Sequence, residues 1–83
     1  MIYLDKYEIN INLVISILNE YVDMLSISNL EELTGIKEST LQNTLKKIRV
    51  KYPYLIQRQK RSKMFLYTIN RNVLKEILGG RNE

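Results

Sequence analysis

Eighty-three residues are enough for one domain, and the absence of Cys and His excludes disulfides, zinc fingers, a His-based catalytic triad and a His-tuned pH switch. The net charge of +4 is unevenly spread: residues 1–38 hold two bases and seven acids, whereas residues 39–83 hold eleven bases and two acids. From Lys46 to Lys63 there are eight bases and no acid, which points to a polyanion-binding face on an otherwise ordinary globule. No apolar run approaches a membrane span and the start lacks the basic n-region of a signal peptide, so the expectation is a cytoplasmic protein with no membrane partner.

Residues 1–8 read as an arm or a first helical turn, since Asp5-x-x-Glu8 has capping-box spacing. From about Asn10 to Met24 the period is helical. Ile11, Val14, Leu18, Tyr21 and Leu25 form one stripe, and Asn12, Ser16, Asn19, Glu20 and Asp23 fall opposite. Leu13, Ile17 and Met24 widen the apolar arc beyond one core face. Two readings of that width stand side by side: a second chain packs here, or the helix is central and touches neighbours on several sides.

Leu25–Ile27 reads as a short extended piece, and Ser28-Asn29-Leu30-Glu31 as a capping box opening a second helix with Leu30 and Leu33 turned inward. Gly35 ends that helix, because glycine enters the left-handed region at low cost. A third helix runs from about Lys37 to Tyr52, with Leu41, Leu45, Ile48 and Tyr52 as its core stripe and Pro53 as its stop. Residues 55–60 and 63–69 read as two strands, with Phe65, Tyr67 and Ile69 alternating toward one face and Arg61-Ser62 in the connection. Tyr52, Tyr54 and Tyr67 are expected to pack in the core or the strands. Asn70 caps a last helix holding Val73, Leu74, Ile77 and Leu78, Gly79-Gly80 closes it, and residues 79–83 fray.

The run from Ser28 to Ile48, with its Gly35-Ile36 turn, Ser39-Thr40-Leu41 and then Leu45-x-x-Ile48, resembles the winged helix-turn-helix transcriptional regulators, a superfamily common in bacteria, archaea and their viruses and plasmids. The basic hairpin that follows is similar to the family's wing. The resemblance implies an α+β, mainly α fold: a single domain over 1–83 with a three-helix core, a β-hairpin wing and a C-terminal helix. It implies a cytoplasmic regulator of transcription that binds double-stranded DNA, with helix 37–52 in the major groove and hairpin 55–69 as the wing. The chain departs from the family pattern at Glu31, where many relatives carry Ala or another small residue, and at Lys37, where they often carry a small polar cap.

On the third helix, Ser39, Asn43 and Lys46 point away from the Leu41/Leu45/Ile48 stripe, and Thr40, Gln42 and Lys47 flank them. Asn and Gln can pair bidentately with adenine, Ser and Thr reach bases or phosphates, and Lys supplies charge. An exposed helix ordinarily mixes signs for i,i+4 pairs, whereas Ser39–Lys51 has four bases and no acid. Four bases near one hairpin tip exceed what protection of a strand edge requires. The candidate DNA-binding set is therefore Lys37, Ser39, Thr40, Gln42, Asn43, Lys46, Lys47, Arg58, Lys60, Arg61 and Lys63. Val50 also lies near the outward face.

The expected partners are duplex DNA and a second copy of the chain, forming a homodimer through the first helix and the N-terminal segment. Two other functions fit the same fold: a winged-helix protein–protein interaction module, suggested by the wide apolar arc and Ile2-Tyr3-Leu4, and a plasmid or viral partition or replication protein. No enzyme activity, cofactor or metal is expected, because only carboxylates, Lys and Tyr could do chemistry and no Gly-rich phosphate loop is present.

Overall fold

A computed structural model describes residues 2–80. The described residues form a small α+β protein with four helices and one three-stranded antiparallel sheet: α1 (Ile9–Glu20), β1 (Leu25–Ser26), α2 (Ile27–Thr34), α3 (Glu38–Lys51), β2 (Ile56–Arg61), β3 (Met64–Ile69) and α4 (Arg71–Gly80). The strand order is β1-β3-β2, with Leu25 opposite Tyr67 and Arg58 also opposite Tyr67 from the other side. One core joins all of it. Ile11, Val14, Ile15 and Leu18 of α1 meet Leu30 of α2, Leu41, Leu45 and Ile48 of α3, Leu55 and Ile56, Tyr67 and Ile69 of β3, and Leu74 of α4. Burying each such aliphatic side chain is worth about 1.5–3 kcal/mol, so α1, with four of them, is the main support of the fold.

The first helix starts where its period suggests, at Ile9, but ends earlier, at Glu20 rather than near Met24. Tyr21 is extended (φ −102°, ψ 129°), and Leu25 sits in β1 rather than on a helical stripe. The reason is tertiary: Arg71 Nη2 donates to the carbonyls of Asn19 (3.0 Å) and Tyr21 (3.1 Å), satisfying the end of α1, and β3 takes up Leu25 and Ser26. At the other end Asp5 and Glu8 do not form a capping box. The Asp5 side chain accepts from Tyr7 N (2.9 Å) and its carbonyl from Glu8 N (3.4 Å), making a turn that delays α1 to Ile9.

Asn12, expected on the polar face of the first helix, is 2% exposed. Its Oδ1 accepts from Leu4 N (2.7 Å) and Asp5 N (2.9 Å), and its Nδ2 donates to Asp5 O (2.6 Å). Ser16 Oγ accepts from Ile2 N (2.8 Å). The N-terminal segment is thus strapped along α1, with Leu4 inside the core and Ile2 packed against it. Within the wide arc, Ile11, Val14, Ile15 and Leu18 are buried and Ile17 packs against the core, while Tyr21 is 38% exposed.

Three further differences concern local chemistry. The cap of α2 is Ser26, not Ser28: Ser26 Oγ accepts from Asn29 N, and Asn29 Oδ1 accepts from Ser26 N, each at 3.1 Å. Pairing of Ser26 with Leu66 brings the chain out of the sheet at that residue, so the helix starts two residues earlier than expected, and Leu33 is 39% exposed. Arg61 lies in β2 opposite Met64, so the connection is Ser62-Lys63, with Ser62 in the left-handed region (φ 54°). Gly79 and Gly80 lie inside the last turn of α4 rather than beyond it, while Asn70 caps its start as expected, accepting from Asn72 N and Val73 N. The expected fraying over 81–83 falls outside the described residues.

Two stability outcomes follow. Ser26→Ala should destabilise the protein by about 1 kcal/mol, whereas Ser28→Ala should stay within about 0.5 kcal/mol, as read from urea unfolding. Asn12→Ala should cost about 1–3 kcal/mol, because it strips the bonds that hold the Leu4–Asp5 backbone on α1.

Candidate nucleic-acid interface

The placement of α3 begins with its connection to α2. Gly35 takes φ 76° and donates to Glu31 O (2.8 Å), ending α2 in a left-handed cap. Thr34 Oγ1 donates to Leu30 O (2.6 Å) and accepts from Ile36 N (3.1 Å). Glu31 Oε2 then accepts from Glu38 N (3.1 Å), at the first residue of α3. Glu31 therefore caps the following helix rather than boxing its own. It supplies the acceptor that Lys37, the N-cap residue of α3, lacks in its side chain. These bonds set the angle between the two helices.

Burial of Leu41, Leu45 and Ile48 turns the rest of α3 outward. Lys37, Ser39, Thr40, Gln42, Asn43, Lys46 and Lys47 are all exposed, as are Arg58, Lys60, Arg61 and Lys63 on the hairpin. The two sets meet. A groove between α3 and the hairpin is lined by Gln42, Asn43, Lys46 and Arg49 on one wall and by Arg58, Lys63 and Phe65 on the other, and no Asp or Glu among the described residues lines it. Arg61, Ser62, Lys63 and Met64 shape a second concavity at the hairpin tip. Thr40 lies elsewhere, in a depression that α3 shares with Glu8 and Asn10 on its other flank.

Phe65 departs from expectation. It alternates with Tyr67 and Ile69 but lies beyond the edge of the core, 39% exposed. The Arg58 guanidinium carbon stands 4.5 Å from its ring centroid and Lys60 Nζ 5.7 Å. The ring's negative face holds the two cations on the side of the hairpin that faces α3. Tyr54 also differs from its expected packing role: it is 84% exposed, at φ 70°, in the turn that follows α3.

The acid-free stretch of α3 is not acid-free in space. Lys51 Nζ is 2.6 Å from Asp5 Oδ2, and Lys47 Nζ is 3.6 Å from Glu8 Oε1. The N-terminal turn thus partners two of the four bases of α3, leaving Lys46 and Arg49 on the groove side. Lys47, a candidate from sequence, belongs to this flank and not to the groove. Arg49, absent from the candidate set, lines the groove. Its position flanking Leu45 and Ile48 looks like the edge of the core stripe until the hairpin is in place. Val50 is 73% exposed and lies on the Lys47 flank, away from the hairpin.

The hydrogen bond from Lys51 holds the Asp5 carboxyl below the usual aspartate range, and the same bond raises Lys51. A carboxyl lowered on folding stabilises the protein above its unfolded value and loses that contribution as pH falls through the folded value. The raised lysine gives the mirror case at high pH, losing its contribution as pH rises through the folded value. Asp5→Asn should therefore lower stability at neutral pH and flatten the acid limb of a stability–pH curve, measured by urea unfolding across pH.

The chain matches no protein-family model and no curated protein.

Proposed function

We propose that the chain is a winged helix-turn-helix protein that binds double-stranded DNA and regulates transcription, with α3 in the major groove and the β2–β3 hairpin as the wing. The observation that carries this reading is the acid-free groove in which the exposed polar side of α3 opens onto the basic hairpin. A major groove about 12 Å wide admits one helix, and its base edges offer donors and acceptors that short polar side chains can pair with. Ser39, Thr40, Gln42 and Asn43 are the residues for bases. Lys37, Lys46, Arg58, Lys60, Arg61 and Lys63 supply the charge for phosphates.

The element order supports the family resemblance: a helix pair joined by a glycine turn, followed by a hairpin and a closing helix. Lys47, paired with Glu8, is a weaker candidate than the rest. The reading includes a homodimer, for which Tyr3, Tyr7 and Ile9 offer exposed apolar surface at the N-terminal end of α1.

Affinity for duplex DNA measured against salt tests the reading. The logarithm of affinity should fall linearly with the logarithm of salt, by about 0.9 for each phosphate neutralised, and a flat line would remove the proposal. Asn43→Ala should change sequence preference, while Arg61→Ala should weaken binding evenly across sequences and reduce the slope by about one.

A further inference from the structure

Arg49 Nη1 is buried and has no hydrogen-bond partner among the described residues. A native fold rarely leaves a buried polar atom in that state, and a guanidinium nitrogen is among the costliest, because it carries part of a full positive charge. The residue sits in the α3–hairpin groove with Lys46 beside it and Arg58 and Lys63 across from it. Four cations thus line one concavity, and no carboxylate among the described residues lines it, while Asp5 and Glu8 pair with Lys51 and Lys47 on the opposite flank. Neither the unpartnered nitrogen nor the like-charge crowding stabilises the protein by itself. An anion in the groove would offset the concentration of like charge, and it would give the guanidinium an acceptor to turn toward in place of the enclosed position that Nη1 now holds.

We infer that this groove is a phosphate seat whose central ligand is Arg49, and that its occupant is a backbone phosphodiester of the bound duplex. The inference rests on the DNA-binding reading and adds a division of labour to it. A planar guanidinium presents a fork of N–H donors that matches two phosphate oxygens, and a charge-assisted bond of this kind is roughly twice as strong as a neutral one. Phosphate contacts fix register and orientation without reading sequence. The seat therefore sets how deeply α3 lies in the DNA groove, and it leaves base choice to the residues nearer the start of α3, Ser39, Thr40 and Asn43.

The test sets stability against binding in one variant, Arg49→Met, which keeps the side chain's length and removes its charge and donors. Thermal unfolding of the variant should occur at the same temperature as the unaltered protein or higher, because an unpartnered buried nitrogen and one of four crowded charges are gone. Its affinity for duplex DNA at fixed salt should fall about tenfold or more. The salt slope should become shallower by about 0.9, and the ratio of affinities for a preferred and an unrelated duplex should not change. Arg49→Lys should keep the slope, since it keeps the charge, and bind less tightly than the unaltered protein, since it lacks the fork.

If Arg49→Met unfolds at lower temperature or fails to fold, Arg49 is a structural residue and the phosphate seat is wrong. A changed affinity ratio makes it a base-reading residue and overturns the assignment in another way. If the unaltered protein binds duplex with a steep salt slope and Arg49→Met binds identically, the seat fails while the DNA-binding reading stands. If the unaltered protein does not bind duplex at all, both fail.

Discussion

Burial of the Leu41–Leu45–Ile48 seam against α1 is the constraint on which the rest of this structure depends. These three side chains are essentially inaccessible to water, and together they are worth several kcal/mol. A helix has only one way to hide such a stripe, so the opposite side, with Ser39, Asn43 and Lys46, has to face solvent. The same core takes in Ile56, Tyr67 and Ile69, which brings the base of the hairpin up to α3. The hairpin's outer half then extends past the core, where its side chains no longer meet apolar partners. Arg58 and Lys60 occupy that overhang, steadied by the Phe65 ring. One packing decision therefore exposes the polar side of α3 and sets the basic hairpin beside it.

Charge is sorted by a second device. The N-terminal turn, held on α1 by the buried amide of Asn12, delivers Asp5 and Glu8 to one flank of α3. Surface ion pairs of this kind contribute little to stability. Their effect here is on the electrostatic shape of α3: one flank carries mixed signs, while the charged residues described on the other are all basic. The proposed DNA-facing groove lies on the basic side, and Arg49 lines it with a buried, unpartnered Nη1.

Where the fold was legible in the residues, the signals were short-range and redundant. Gly35 marks a left-handed cap that nearly any other residue would strain, Pro53 cannot continue a helix, and Asn70 caps the one that follows it. The leucine spacing of α3 and the alternation in β3 each repeat often enough to be read without a partner. The misplaced cap of α2 shows the limit. Ser28-x-x-Glu31 matches the local capping-box pattern better than Ser26-x-x-Asn29, yet the helix is capped at Ser26, which β3 pairs with from forty residues away. Glu31, released from that box, caps α3 instead.

By itself the sequence determined the periods: which side of each helix is apolar, where the turns fall, and that the second half carries the positive charge. These follow from neighbours within a few residues, where backbone geometry leaves little choice. Only the tertiary structure decided which polar residues are buried and which charges are paired. Asn12 looks like a solvent-facing residue until the strand of chain before it folds back over α1, and Lys47 and Lys51 look like free cations until Asp5 and Glu8 arrive. Burial and pairing depend on distances between segments remote along the chain, and no local spacing encodes them.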